Sequence, residues 1–171
     1  PVPTITSFTP SSLCEGASVT ITGTNFTGAT SVSIGGTAAT SYTVNSATQI
    51  TAVVGSGTTG QITVVNGGSV TSTNSLTVNT APTAVSVSAG SLCSGSSASL
   101  TASGGSGGTI YWQGTSSGGT QDVINSGSTS PAYSSAGTYY ANAVSSAGCW
   151  GTEGSAALTE VTSPSNFTAT S

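Results

Sequence analysis

The chain has no lysine, arginine, histidine or methionine, and its four charged side chains, Glu15, Asp122, Glu153 and Glu160, are all acidic. Each absence removes a class of function. Without Lys or Arg no side chain can displace counterions from a phosphate backbone, so nucleic acid is excluded as a partner. Docking on anionic lipid by charge is excluded for the same reason. No apolar run approaches the length of a bilayer span, so membrane insertion is not expected. There is no His and no C-x-x-C, hence no clustered metal-ligand pattern. A catalytic cysteine needs a basic partner to lower its pKa, and none exists here. Four scattered carboxylates are too few for a calcium loop. Asp122 and Glu153 lack the cleft and aromatic platform of a glycosidase pair, and Glu153 and Glu160 are expected to face solvent. The "SGGSGG" run (103–108) has no following Lys or helix, so it reads as a loop and not a phosphate cradle. Lysine-based isopeptide cross-links are impossible. The expectation is a protein without catalysis, cofactor or metal.

Ser and Thr fill roughly two-fifths of the 171 residues, and Gly adds 24 more. Such polarity with little charge and many Thr, Val and Ile favours pleated, half-buried strands over disorder. The chain also offers no site to trypsin-like proteases, which suits an extracellular setting. No signal peptide opens it, so it reads as a mature segment, a fragment or both, and "PVPTI" reads as linker.

One phrase occurs twice. "SLCEGASVTITG" spans residues 12–23 and "SLCSGSSASLTASG" spans 91–104. Leu13 aligns with Leu92, Cys14 with Cys93, Gly16 with Gly95 and Ile21 with Leu100. In both, a Gly turn after the cysteine leads into apolar and polar alternation, the period of a half-buried strand. The spacing is too long for a solenoid repeat and suits a small sandwich. Two domains are therefore expected, at 1–81 and 82–163, with 164–171 a linker or the start of another module. Pro82 marks the join.

In the first unit, strands are expected at 4–8, 18–26, 31–36, 40–44, 48–54, 60–68 and 75–78. In the second they are expected at 84–89, 97–103, 109–114, 130–133, 137–144 and 156–162. Turn signals separate them, and helical periodicity is lacking. The fold class is all-β, two tandem immunoglobulin-like β-sandwiches.

The order "PTITSFTPSS", "GASVTITGTNFTGATSVSIGGTAAT", "SATQITAVV" and "GQITVVNGG" resembles an IPT/TIG domain over about residues 3–79. It departs from that family at Cys14-Glu15, where a cysteine is unusual, and at Val54-Gly55, where Pro is common. In the second unit the Trp of "TIYWQG" (109–114) on the third strand and "AGTYY" opening a late strand resemble the bacterial Ig-like and PKD-like modules of secreted surface proteins, as in giant surface adhesins of gliding bacteria. That resemblance implies Trp112 as the core aromatic and Tyr139 as a corner tyrosine. The tail "SPSNFTATS" resembles the opening strand of a fibronectin type III module.

In such a module Cys93 and Cys149 are expected to pair. A bridge closing about 56 residues would stabilise by roughly 4 kcal/mol in the chain-entropy model. Cys14 is then left over as a free or buried thiol, or as one end of an external or intermolecular bridge. The remaining alternative pairs Cys14 within the chain and leaves another cysteine free. Trp150 either covers the disulfide or offers a surface contact, as Tyr42 does. The "NFT" sequons at Asn25 and Asn166 read as parts of the strand patterns rather than as glycan sites.

These resemblances imply a non-catalytic repeat segment of a long exported adhesin at the bacterial cell surface, used in attachment and gliding movement. Its partners are neighbouring Ig-like modules of the same or adjacent chains and a surface polysaccharide. Two alternatives remain: a subunit of an extracellular surface filament, and an accessory module of a secreted polysaccharide-degrading enzyme.

Overall fold

A computed structural model describes residues 1–56, 59–118 and 125–162. It divides into two units, Pro1–Thr80 and Ala81–Ser171, and every regular element among the described residues is a strand. The chain is thus all-β, with one immunoglobulin-like sandwich in each unit. Asp122, the Asn166 sequon and the fibronectin-like tail 164–171 lie outside the described residues.

The first unit contains β1 (Thr4–Thr9), β2 (Ser12–Cys14), β3 (Ser18–Thr24), β4 (Ser31–Ile34), β5 (Thr37–Ala38), β6 (Ser41–Ser46), β7 (Gln49–Val53), β8 (Gly60–Val65) and β9 (Ser69–Asn79). One sheet runs β1-β3-β7-β6 and the other β2-β9-β8-β4-β5. Alternation aims Val19, Ile21, Ile50 and Ala52 from the first sheet, and Val32, Ile34, Ile62 and Val64 from the second, into one core with Phe26. Burying each large aliphatic side chain contributes about 1.5–3 kcal/mol.

The "TGTNF" stretch is set by close packing. A Cβ on Gly23 would lie 1.8 Å from the Thr4 carbonyl oxygen and 2.6 Å from the Phe26 ring, so only glycine allows β1 and Phe26 to approach β3. Asn25 then turns the chain in the left-handed region (φ 57°), which Asn tolerates better than most residues. Its side-chain amide donates to the Val2 carbonyl at 3.1 Å. This placement gives the asparagine of the first sequon a structural reason.

β9 is much longer than the expected 75–78, because it carries an irregularity that its Ser-rich sequence conceals. The ladder passes from Thr63↔Thr71 to Gln61↔Ser75. Within that step Ser72 is buried, its Oγ accepting from the Ile62 amide at 2.9 Å and donating to the Asn74 carbonyl at 2.7 Å. Hydroxyls here replace lost ladder bonds, which a buried backbone requires.

The second unit contains β10 (Val85–Val87), β11 (Gly90–Cys93), β12 (Ala102–Gly104), β13 (Thr109–Gly114), β14 (Asn125–Ser126), β15 (Gly137–Val144) and β16 (Gly154–Val161). β10 pairs with β12, and the facing sheet runs β11-β16-β15-β13-β14. Trp112 is fully buried and sits beside Ala141 in the β13–β15 register. The small inward side chains Ala141 and Ala143 leave the volume that the indole fills. The indole N–H donates to the Gly127 carbonyl at 3.1 Å. Tyr139 donates its hydroxyl to the Ser135 carbonyl, four residues upstream, at 2.9 Å, the tyrosine-corner bond.

Residues 97–101, expected in a strand, are held instead by isolated bridges Ala98↔Tyr133 and Thr101↔Thr129. Ser130 completes the link: its Oγ accepts from the Leu100 amide at 2.8 Å and its own amide donates to the Leu100 carbonyl at 3.0 Å. Pro131 has no N–H to continue a ladder, which limits this segment to single bridges.

Tyr133 stacks on Tyr139 with centroids 3.8 Å apart and planes at 21°. Burial, and then the neighbouring Tyr139, hold its hydroxyl above the ordinary tyrosine value. Above pH of about 10 the unfolded chain therefore loses this proton first. The unfolded state binds fewer protons there, and stability falls as pH rises through the folded value. Tyr133→Phe keeps the stack and removes the titration. In urea unfolding at pH 8 to 11, monitored by tryptophan fluorescence, which reports only the second unit, the variant should lose less stability above pH 10 than the parent. Parallel pH curves would refute this assignment.

Candidate functional site

The reactive groups of this chain are its cysteines and carboxylates, and strand register places them. β2 runs parallel to β9 with Cys14 opposite Asn79, and β11 runs parallel to β16 with Cys93 opposite Val161. Each cysteine therefore ends a short strand at the pole where its sandwich's last strand runs out. The repeated phrase codes this element. Leu13 and Leu92 are buried as anchors. The Cys14 carbonyl accepts from the Ala17 amide at 3.1 Å, and the Cys93 carbonyl accepts from the Ser96 amide at 3.0 Å. Gly16 and Gly95, both at φ 78°, occupy the turn position that demands positive φ in a type II turn.

Cys149 lies at the other pole of the second sandwich. It follows β15 in a tight turn, in which its amide donates to Ser145 Oγ at 3.1 Å and its carbonyl accepts from the Ser145 amide at 2.9 Å. Trp150 bridges to Val144, and a Cβ on Gly151 would lie 2.6 Å from the Pro82 carbonyl oxygen, which marks this as the N-terminal pole of the second unit.

The expected Cys93–Cys149 bridge is not formed. Cys93 is free and exposed, while Cys14 and Cys149 are disulfide-bonded. Register gives the reason: Gly90 and Gly137 both stand opposite Leu158, Cys93 lies beyond them in one direction and Val144 in the other. The two cysteines are about ten residue rises apart, roughly 33 Å. A disulfide tolerates no more than about 7 Å between Cα atoms. The leftover thiol is thus Cys93 and Cys14 is bonded, which is the alternative that leaves another cysteine free rather than a free or external Cys14.

The candidate contact residues differ in how much of each ring is committed to the fold. Tyr42 is half-buried against the first core and donates its hydroxyl to the Ala29 carbonyl at 3.1 Å. Trp150 is half-buried with its ring 6.4 Å from that of Tyr111, inclined at 57°. Tyr111 borders an open groove of about 540 Å³, otherwise lined by Gly107–Thr109 and Val144–Ser146, with no charged side chain in its walls. Sequence reasoning did not find this groove, because β13 and the 144–146 turn meet only through the β13–β15 ladder. A second groove, of about 280 Å³, lies in the first unit between Ile5–Phe8, Ser11 and the irregular stretch Ser72–Ser75.

The described carboxylates are dispersed. Glu153 is half-buried, contrary to the expectation that it faces solvent, and it accepts from Ser117 Oγ at 2.8 Å and the Gly118 amide at 3.0 Å. Glu160 is exposed on β16, opposite Leu92. Glu15 follows Cys14 in its turn, its amide donating to the Asn79 carbonyl. Among the described residues no group of three or more His, Cys, Asp or Glu is placed to hold a metal, and no helix is long and apolar enough to cross a membrane.

Thiol state gives a direct check. In the isolated 171-residue segment under native conditions without reductant, N-ethylmaleimide should add once, at Cys93, and three times after reduction and denaturation. Native addition at Cys14 or Cys149 would contradict the cysteine states described here.

Residues 79–164 match the family described as Ig-like domain CHU_C associated, and residues 3–80 match the IPT/TIG domain. No curated protein matches the chain. Among solved structures, SGBP-B of the Bacteroides ovatus mixed-linkage glucan utilization locus, in complex with a mixed-linkage heptasaccharide, is 16% identical over 88% of this chain and 43% of that one, with a TM-score of 0.34. A structure with xylogluco-oligosaccharide is 14% identical over 93% of this chain and 41% of that one, TM-score 0.41. The titin domains Z1Z2 in complex with telethonin are 19% identical over 96% of this chain and 98% of theirs, TM-score 0.32. The chain spans less than half the length of the first two. By its family matches the chain belongs to the CHU_C-associated Ig-like domain family, with an IPT/TIG domain ahead of the Ig-like one.

Proposed function

We propose that the chain is a non-catalytic repeat segment of a long exported bacterial adhesin, holding attachment surfaces away from the cell and serving in gliding movement. The observation that carries this reading is the path of the chain through each sandwich. In the first, β1 and β2 run in one direction to Cys14, level with Asn79 at the end of β9. In the second, β10 and β11 run to Cys93, level with Val161 at the end of β16. Each sandwich therefore takes the chain in at one pole and releases it at the other, on the order of 35 Å away by strand rise. A string of such modules is a spacer, and weak contacts repeated along it add through avidity. With so few charges, screening by salt has little to act on.

The test is the size of the surface protein from the producing cells. One very large chain, with the same mobility with and without reductant, is expected. A ladder that collapses on reduction would instead identify the protein as a filament subunit. A catalytic domain in the same chain would make these modules accessories of a secreted enzyme.

The groove lined by Tyr111, whose ring lies 6.4 Å from that of Trp150, favours a second role for the same segment, contact with a neutral polysaccharide. Aromatic rings pack on the apolar faces of sugars, and the serine hydroxyls and backbone of 144–146 and 107–109 supply hydrogen bonds. In affinity electrophoresis through gels containing neutral glucans, the chain should be retarded, and Trp150→Ala should lose most of that retardation. Retardation unchanged in Trp150→Ala, or none in the parent across the panel, would remove this role and leave the spacer function standing.

A further inference from the structure

We propose that Cys93 is one half of an intermodular disulfide, the other half being a cysteine at the N-terminal pole of the module that continues the chain beyond Thr162. The proposal rests on the adhesin reading, which supplies that module. It is carried by the comparison of the two sandwiches with each other. Cys14 and Cys93 end the same short strand, each one residue after a buried Leu and each opposite the last residues of a parallel terminal strand. Both are followed by the same turn, with glycine at φ 78°. Cys14 in that position is disulfide-bonded, whereas Cys93 is free and exposed. The element is thus built to carry a bonded sulfur, and its second copy presents the sulfur unbonded.

No partner is left inside the chain, since Cys14 and Cys149 are both bonded. The partner must come from outside residues 1–171. Register says from where: β11 and β16 finish side by side, with Cys93 opposite Val161, so the last strand of the second unit ends beside Cys93. Cys149 shows that the N-terminal pole of such a module can hold a bonded cysteine, in a turn fixed by Ser145. The Cys93 backbone is fixed as well, because its carbonyl accepts from both the amide and the hydroxyl of Ser96, at 3.0 and 2.6 Å.

The chemistry balances as thiol–disulfide exchange. The two thiols give up two protons and two electrons to the disulfide of an oxidoreductase in the export compartment, which leaves as a dithiol while the S–S bond forms. Such bridges persist outside the cell.

The experiment uses the full-length surface protein from the producing cells, quenched with N-ethylmaleimide before any reduction. It is digested with chymotrypsin, since residues 1–171 offer trypsin no site, and the disulfide peptides are mapped by mass spectrometry. A Cys93 peptide linked to a cysteine peptide of the same chain beyond Thr162 is expected. Cys93 carrying N-ethylmaleimide, or bonded to Cys93 of a second copy, overturns the proposal. As a second measurement, Cys93→Ser in the full-length chain should raise the rate of limited proteolysis just after Thr162 several-fold while leaving the melting of the 171-residue segment unchanged. An unchanged proteolysis rate counts against the proposal. Failure of the adhesin reading is seen separately, in the size of the reduced chain.

Discussion

In each sandwich the opening strand is split. Its first part pairs antiparallel in one sheet, β1 on β3 and β10 on β12, and its second part pairs in parallel with the last strand of the other sheet, β2 on β9 and β11 on β16. The rest of the architecture depends on that short parallel pairing. It closes the open side of the sandwich, so that the sheet edge beside the terminal strand is covered. It also forces the first and last strands to run in the same direction, which puts the two chain ends at opposite poles. The position of each cysteine follows from it, because a residue at the end of β2 or β11 has nowhere to lie except the pole where the chain leaves.

A chain so rich in Ser and Thr must still build a dry interior, and it does so with few large side chains. The first core is a lattice of Val and Ile around Phe26, while the second is built around Trp112 and depends on Ala141 and Ala143 being small. Among the described residues the two buried serines replace backbone bonds. Ser72 satisfies the Ile62 amide and Ser130 satisfies the Leu100 amide, and both are buried. A buried amide left unpaired costs about 1–3 kcal/mol, so these two serines contribute more than their size suggests. They are structural equivalents in function, each pinning a stretch where the ladder breaks.

The strands that alternate strongly were legible in the sequence. β3, β7, β8 and β15 fall where their period-2 patterns place them, because each alternates between a core face and a more exposed face, while β13 is buried without a break from Trp112 to Gly114. β2 and β11 are too short to show a period, and their partners lie more than 60 residues away. β9 extends well before the apolar pattern at 75–78, because its Ser/Thr stretch carries no apolar signal. The cysteines follow the same logic. Cys93 and Cys149 both lie at strand ends, but at opposite ends of the β11-β16-β15 ladder. The repeated phrase already held the answer, since two cysteines in the same phrase must occupy the same pole of their sandwiches. Cys149 has no such phrase and belongs to another place in the fold. The groove beside Tyr111 depends on which turn the β13–β15 register brings alongside, and single-strand patterns do not encode that.

The absence of basic side chains shapes the energetics as much as the function. No side-chain ion pair can form, so neither sandwich draws stability from salt bridges and ionic strength has little to screen. Acid has correspondingly little to break. Glu153 is half-buried and accepts from Ser117 Oγ and the Gly118 amide, which ties the 117–118 turn to the start of β16. What remains to stiffen such a chain is non-ionic: alternating cores, hydroxyl-satisfied bulges, glycine turns and sulfur. Of these only the disulfide adds a link that chain entropy cannot dissolve, and its contribution grows with the length of polypeptide it closes. In both sandwiches the repeated phrase sets a cysteine, Cys14 and Cys93, at the pole where the terminal strand ends.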